Sequence, residues 1–367
     1  VAPFAPPVLM TLDAQSAGGA EVQQVLIGRE LARRGWSVSF VVADYGQGTV
    51  KQVGGVRVIS TFPVHGRRGA LGVVQRGLAL GHGMRAAEAD VYVTRSGMLY
   101  TLPIVWACRR LRKPFVYLAA HDRNFDPRLQ SEIPWVVRAG FRISIKAARA
   151  VVVQSERQRA LLEKHFFRQG VLIKSGYPLP EVGRYGDGEY ILWIGSTSKW
   201  KRPELFLELA RRVPHLPCVM VVAPAGARRR FAELEEAARD IPNLDFRGFV
   251  PFAMIDEVVS KARMLVATSS AEGFPNVFVQ AWAHGVPTLS LGVDPDEIIC
   301  KFGVGRHVSN MEELVDSVTM LWSDDVSRGG LARTARRHAE ADHDIHKVVD
   351  AYACLLSEVQ ERQSRPK

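Results

Sequence analysis

The stretch Glu272-Gly-Phe-Pro-Asn-Val-Phe-Val-Gln280, running on through Ala-Trp-Ala-His-Gly285-Val-Pro287, decides how this chain is read. It sets an acid at the mouth of a Gly-Pro turn and an amide two helical turns further on, which suits a helix N-terminus that holds a phosphate-bearing ligand. Upstream, Ala262-Arg-Met-Leu-Val-Ala-Thr268 is an apolar, strand-like run, and Ser269 to Pro275 carries turn residues. Val277 to Ala283 is apolar and helix-compatible, and Val286-Pro-Thr-Leu-Ser-Leu291 reads as the next strand.

Working outward, short apolar runs alternate with helical patterns in both halves of the 367-residue chain, which predicts an α/β fold with parallel sheets covered by helices. Strands are expected at Pro7–Thr11, Trp36–Val42, Val56–Ile59, Val91–Thr94, Phe115–Leu118 and Val151–Val153, with a helix from Glu21 to Arg34. Ser155 followed by Gln158 marks the cap of a helix reaching Phe166. The second half restarts at Tyr190–Gly195 and continues through Cys218–Val222 and Leu244–Phe246. A Gly- and Pro-rich segment separates the halves. The expected organisation is an N-terminal domain over residues 1–178, a linker over 179–189, a C-terminal domain over 190–344, and a helix over 345–367 able to pack back on the N-terminal domain.

Charge is uneven. Residues 1–187 hold 26 Lys and Arg against 13 Asp and Glu, whereas the rest holds 22 against 25. The excess sits at Arg67, Arg68, Arg76 and Arg85, at Arg109, Arg110, Arg112 and Lys113, and at Arg138, Arg142, Lys146 and Arg149. A solvated basic face and an anionic membrane surface both fit this pattern. Nucleic acid does not, because no stacking aromatics interleave the clusters. Cys108, Cys218, Cys300 and Cys354 show no metal-type spacing and are expected to be buried small apolar residues in a reducing compartment. With no apolar run of membrane-spanning length and no leader pattern at the start, the expected location is the cytoplasm.

Three further loops point to chemistry. Ala17-Gly-Gly-Ala-Glu21, between strand and helix, lets backbone approach a ligand at Gly18 and Gly19, although a plain tight turn reads equally well. Gly195-Ser-Thr-Ser-Lys-Trp-Lys201-Arg202-Pro203 clusters cations at a helix start. His121-Asp122 ends a strand, where substrates of open α/β sheets bind. Asp294-Pro-Asp296 is read as a turn rather than a cation site, and Asp342-His343-Asp344 as a helix start.

Together, Gly18-Gly19-Ala20-Glu21, the Gly195 to Pro203 loop, Gly248-Phe249-Val250-Pro251 and the Glu272 to Pro287 stretch resemble the family 4 retaining glycosyltransferases of the GT-B fold. The resemblance implies two Rossmann-like domains facing a cleft. It implies a donor site of Gly18, Gly19, Gly195, Ser196, Lys201, Arg202, Val250, Glu272, Gly273, Phe274, Pro275, Asn276 and Gln280, with His121, Lys201 and Glu272 as catalytic groups. Lys201 is expected on the donor diphosphate, Glu272 on sugar hydroxyls, Gln280 at the ribose, Val250 near the base and His121 beside the reacting sugar. The implied reaction moves a sugar with retention from a UDP- or GDP-sugar to a hydroxyl of a glycan or lipid-linked acceptor, with no metal or other cofactor. Acceptor contacts are expected from first-domain loops such as Val64 to Gly83. The partners are then a nucleotide sugar, the acceptor and an anionic membrane surface reached from the basic half. The family usually carries Arg and Glu where this chain has Ser196 and Gln280, which leaves open a degenerate binding or scaffold protein. A sugar-nucleotide epimerase on the same fold is a further alternative.

Overall fold

Parallel strands buried on both faces organise the chain in the computed structural model, which describes residues 1–5, 18–64, 69–95, 97–181 and 185–364. The described residues divide into two units, one within 1–176 together with the helix Ile345–Ser364, the other within 177–344. The strand expected at Pro7–Thr11 and the basic pair Arg67 and Arg68 lie outside the described residues.

In the first unit the order is α1 (Gly19–Arg33), β1 (Ser39–Asp44), β2 (Val50–Val53), β3 (Val56–Pro63), α2 (Ala70–Ala87), β4 (Tyr92–Thr94), α3 (Met98–Leu111), β5 (Phe115–Leu118), α4 (Trp135–Ala147), β6 (Ala150–Val153), α5 (Glu156–Phe166) and β7 (Val171–Leu172). One sheet runs β1-β3-β2 and the other β4-β5-β6-β7, with β2 the antiparallel member. Val1–Pro3 lie between the two sheets. Ala2 donates to the carbonyl of Val41 (3.0 Å), Pro3 accepts from Ala43 (2.9 Å), and Thr94 Oγ1 donates to the carbonyl of Val1 (2.8 Å). Every residue of β5 and β6 is buried, as continuous apolar runs in a covered parallel sheet should be. One core layer joins Leu80 and Met84 of α2, Ile104 of α3 and Phe141 and Ile145 of α4 over Tyr117 and Val151. On the opposite face, Ile27 and Leu31 of α1 and Val349, Tyr352 and Leu356 of the C-terminal helix cover Val116, Leu118 and Val152.

Two expectations are corrected here. Most of Val64–Gly83 is not a loop, because α2 starts at Ala70. Its glycines are there for close approach, with Gly77 facing Pro103 and Gly81 facing Ala107 of α3. Cys108 and Cys218 are buried, but Cys300 and Cys354 are exposed on helices.

The second unit contains β8 (Tyr190–Ser196), α6 (Pro203–Arg212), β9 (Cys218–Ala223), α7 (Arg228–Arg239), β10 (Leu244–Arg247), α8 (Phe252–Ser260), β11 (Ala262–Ala267), α9 (Asn276–Ala283), β12 (Thr288–Leu291), α10 (Ile298–Phe302), β13 (Gly305–Val308), α11 (Met311–Ser323) and α12 (Asp325–Asp342). Its single parallel sheet has the order β10-β9-β8-β11-β12-β13. Succession runs outward one way from β8 and the other way from β11, so the loops after these two central strands flank the point where strand order reverses. Open α/β sheets bind ligands there. Residues 177–181 and 185–189 are bonded to this unit, since Arg336 donates to the carbonyl of Pro180 (2.8 Å) and Arg328 to that of Gly186 (2.9 Å). His343 is fully buried between α12 and the C-terminal helix, so Asp342-His343-Asp344 joins two helices. Among the described residues, no helix is long and apolar enough to cross a membrane.

The packing of α2 yields a paired expectation. A methyl group at Gly83 would sit 2.4 Å from Thr61 Cγ2 and 2.9 Å from Val41 Cγ1. Thr61 cannot rotate away, because its hydroxyl donates to the carbonyl of Val42 (2.7 Å). Gly83→Ala should therefore destabilise by about 1–3 kcal/mol. Gly81→Ala meets only Ala107 at 3.7 Å, and should stabilise by up to about 1 kcal/mol through helix propensity. Urea midpoints of the two variants should move in opposite directions.

Candidate functional site

The loops after β8 and β11 are tied together by one hydroxyl. Trp193 Nε1 donates to Thr268 Oγ1 (3.0 Å), and that hydroxyl lies 2.7 Å from the carbonyl of Lys201 and 2.9 Å from that of Arg202. Ser270 N donates to the carbonyl of Trp200 (2.8 Å) and closes the contact between loops. Arg202 sits at the N-cap of α6 with φ of +48°, a left-handed conformation that costs a branched residue about 1 kcal/mol. Its guanidinium offsets this by donating to the carbonyls of Thr268 (2.5 Å) and Leu291 (2.5 Å), with Ser269 at 3.4 Å. Arg202 thus braces the carboxyl ends of β11 and β12.

Bracing the loops brings Lys201 Nζ to 2.5 Å from Glu272 Oε1, an ion pair largely shielded from solvent. Directly beyond Glu272, α9 begins with Pro275 as N-cap and has no side-chain cap. Proline supplies no acceptor for the first amides of the helix, so this end remains suited to an anion. Gly273 and Asn276 flank Phe274 and Pro275 in the same turn. Phe274 turns its ring inward onto Trp282 (6.3 Å) and His343 (5.2 Å), which leaves its backbone as the part offered to a ligand. Gly195 is a glycine for a packing reason, since a Cβ there would lie 2.5 Å from the Trp193 ring. Ser196 accepts a long 3.4 Å bond from Ser198 N inside the loop.

Gln280 and Val250 stand apart from that pair. Gln280 is buried one turn further along α9, on the side of Tyr177. Tyr177 donates to Asp256 Oδ1 (2.8 Å), which lies 2.9 Å from His284 Nε2. Burial and the neighbouring Asp256 carboxylate push the Tyr177 phenol far above its usual range. Burial alone would raise Asp256, but hydrogen bonds from His284 and Tyr177 outweigh it and hold the carboxylate below its usual range. Val250 is half-buried after β10, just before α8.

In the first unit, His121 follows β5 and caps a short 3-10 turn. Its Nδ1 accepts from Arg123 N (2.9 Å) while its own amide donates to Asn124 Oδ1 (3.0 Å). That arrangement assigns the proton of the neutral ring to Nε2. Asp122 pairs with Arg157 at 2.8 Å. Gly18 and Gly19 are exposed at the start of α1, where no side chain caps the helix except for the backfolding Glu21 nearby. A Cβ on Gly18 would lie 2.4 Å from Glu21 Oε2, so the carboxyl of Glu21 fills the space the glycine leaves. Burial pushes this carboxyl upward, against its own backbone amide, Arg95 and Gly18. Arg95 is itself buried after β4.

Sequence reasoning gave no role to Thr268, Trp193, Tyr177, Asp256, Asn124 and the buried Arg95, and named Glu21 only as part of the Gly18-Gly19 motif. Only Asn124 carried a local signal, a capping residue three positions after His121. Asp294 accepts from the amides of Ile299 (2.8 Å) and Cys300 (3.1 Å), in keeping with a turn. Together with Cys300 and His307 it forms a cluster whose ligand atoms lie within 4.8 Å of one another, although its carboxylate oxygens already serve the turn.

Residues 17–176 match the family described as Glycosyltransferase Family 4, and residues 188–324 match Glycosyl transferases group 1. The D-inositol 3-phosphate glycosyltransferase of Mycolicibacterium smegmatis is 23% identical over 193 residues, which are 49% of this chain and 43% of that protein. The aligned part thus spans less than half of that curated relative. Sucrose-phosphate synthase from Thermosynechococcus elongatus has a similar structure, with a TM-score of 0.76, 18% identity and 94% of each chain covered. HepE from Anabaena, solved in complex with UDP and glucose, gives a TM-score of 0.73 at 18% identity, covering 94% of this chain and 97% of that one.

The upward-shifted Glu21 carboxyl has a signed consequence. Its native state prefers the protonated form, so its contribution favours folding below the ordinary value of about 4.5 and is lost as pH rises through the native value. Glu21→Gln should remove that loss. Denaturation midpoints should show a stability advantage of the variant that is larger at pH 8 than at pH 4.5; an advantage independent of pH would contradict the assignment.

Proposed function

Because the chain belongs to the family 4 glycosyltransferases of the GT-B fold, we propose that it transfers a sugar from a nucleoside diphosphate sugar to a hydroxyl of a glycan or lipid-linked acceptor, with retention at the anomeric carbon. The observation that carries this reading is the Lys201–Glu272 pair beside the uncapped start of α9, at the strand-order reversal of the second unit. A lysine ammonium and a helix N-terminus together form a site where negative charge is stabilised as it develops on a departing diphosphate. Relatives solved with UDP support a uridine or related donor.

In this reading the donor diphosphate draws Lys201 toward itself, and Glu272 is left to accept hydrogen bonds from sugar hydroxyls. The Nε2–H of His121 supplies a donor to the reacting sugar. The acceptor hydroxyl attacks on the face from which the diphosphate leaves, and a leaving-group phosphate oxygen takes its proton. Charge neutralisation by Lys201 and α9 makes a metal-independent reaction the expectation, and undiminished turnover in excess chelator checks it. An anionic membrane is the expected setting for a lipid-linked acceptor, given the basic first half.

Incubation with UDP- and GDP-sugars and candidate acceptors, followed by mass spectrometry, tests the reading. A glycosylated acceptor supports transfer, an isomerised donor formed without acceptor supports an epimerase, and nucleotide binding without either product supports a scaffold. Lys201→Ala should lower kcat by about 10²–10³-fold, the scale seen when one charge-stabilising group is removed from an active site. Unchanged kcat would remove Lys201 from the reaction.

A further inference from the structure

The first unit leaves a broad apolar face uncovered. Leu71 and Val74 on α2, Leu102 and Trp106 on α3, and Trp135 and Val136 on α4 all point to solvent, with Leu71 75% and Trp135 72% exposed. Patches of large apolar side chains on neighbouring elements mark interaction sites.

The topology arranges these residues. α3 and α4 each return from the carboxyl end of one strand to the start of the next parallel strand, so they run the same way, and the contacts of α2 with α3 keep that sense. Side-chain register agrees, with Gly77 facing Pro103, Gly81 facing Ala107 four residues on, and Leu102 resting on Gly140. Leu71, Val74, Leu102, Trp135 and Val136 therefore fall in the first two turns, at the strand edge that also carries His121, whereas Trp106 lies a turn further on, with the Arg110 guanidinium stacked on its ring at 4.0 Å. The last turns of the same helices present Arg85, Arg109, Arg110, Arg142 and Lys146, with Arg149 just beyond α4. An apolar band that includes Trp135 thus lies beside a basic band in which Arg110 covers Trp106.

We infer that this face docks on an anionic lipid bilayer, with the apolar band in the headgroup boundary and the basic band on lipid phosphates. Tryptophan favours that boundary, and clustered Lys and Arg draw the surface toward anionic lipid. A basic band beside the apolar one is complementary to a negatively charged partner rather than to a second copy carrying the same charge. Docking in this way turns the His121 edge toward the membrane and brings a lipid-linked acceptor within reach, a consequence that rests on the reading of the acceptor given above.

Sedimentation with vesicles of phosphatidylcholine alone, and of phosphatidylcholine mixed with phosphatidylglycerol, tests the inference. The protein should bind the mixed vesicles, and added salt should weaken binding. The variant Leu71→Ser, Val74→Ser, Trp135→Ser should bind at least about tenfold more weakly, and Arg109→Glu, Arg110→Glu, Lys146→Glu should lose the preference for anionic lipid. Unaltered thermal shifts with UDP in both variants would show that the fold is kept. Equal binding to both vesicle types, binding unaffected by either variant, or a dimer that the serine variant converts to monomer would overturn the inference. Turnover on soluble acceptors without vesicle binding would overturn it while leaving sugar transfer intact; vesicle binding without transfer on any donor would do the reverse.

Discussion

The hydroxyl of Thr268 is the small group on which the second unit's site depends. It accepts from the Trp193 indole and lies against two carbonyls of the next loop, so β8 and β11 share one buried polar contact. Buried polar groups are costly when unpaired, and a fully paired set holds its neighbours in one arrangement. Arg202 extends the set by bonding the ends of β11 and β12. Lys201, next in sequence, is thereby carried to Glu272, although the two side chains belong to different loops.

The sheet explains why these loops meet. Parallel strands deliver every strand-to-helix loop to the same edge, and the reversal of order between β8 and β11 opens that edge at its centre. The anion-binding capacity at this point comes from backbone as much as from side chains, because Pro275 cannot cap α9. The first unit uses the same device differently. There the carboxyl of Glu21 folds back over Gly18 at the start of α1, a half-buried acid near the buried Arg95.

Much of the framework was legible from local pattern. Phe115–Leu118 was readable to the residue, because a strand buried on both faces reads as a continuous apolar run. The Ser155 cap was readable because capping is a local hydrogen bond, here from Gln158 N to Ser155 Oγ at 3.1 Å. β2, β7 and β13 were not, since edge strands half in solvent keep no apolar pattern. α2 was misread because its glycines weaken helix propensity, and the gain they bring appears only when α3, β1 and β3 are packed against it.

The sequence by itself determined the alternation of strands and helices, the loops rich in glycine and charge, and the family to which they belong. These are local properties, set by side-chain periodicity and turn chemistry within a few residues. Tertiary structure alone decided that Lys201 meets Glu272, that Arg202 bonds carbonyls, that Tyr177 is bonded to Asp256, and that exposed apolar turns of three helices align. Each of those depends on residues tens of positions apart, whose approach is fixed by strand order and by the need to satisfy buried polar groups.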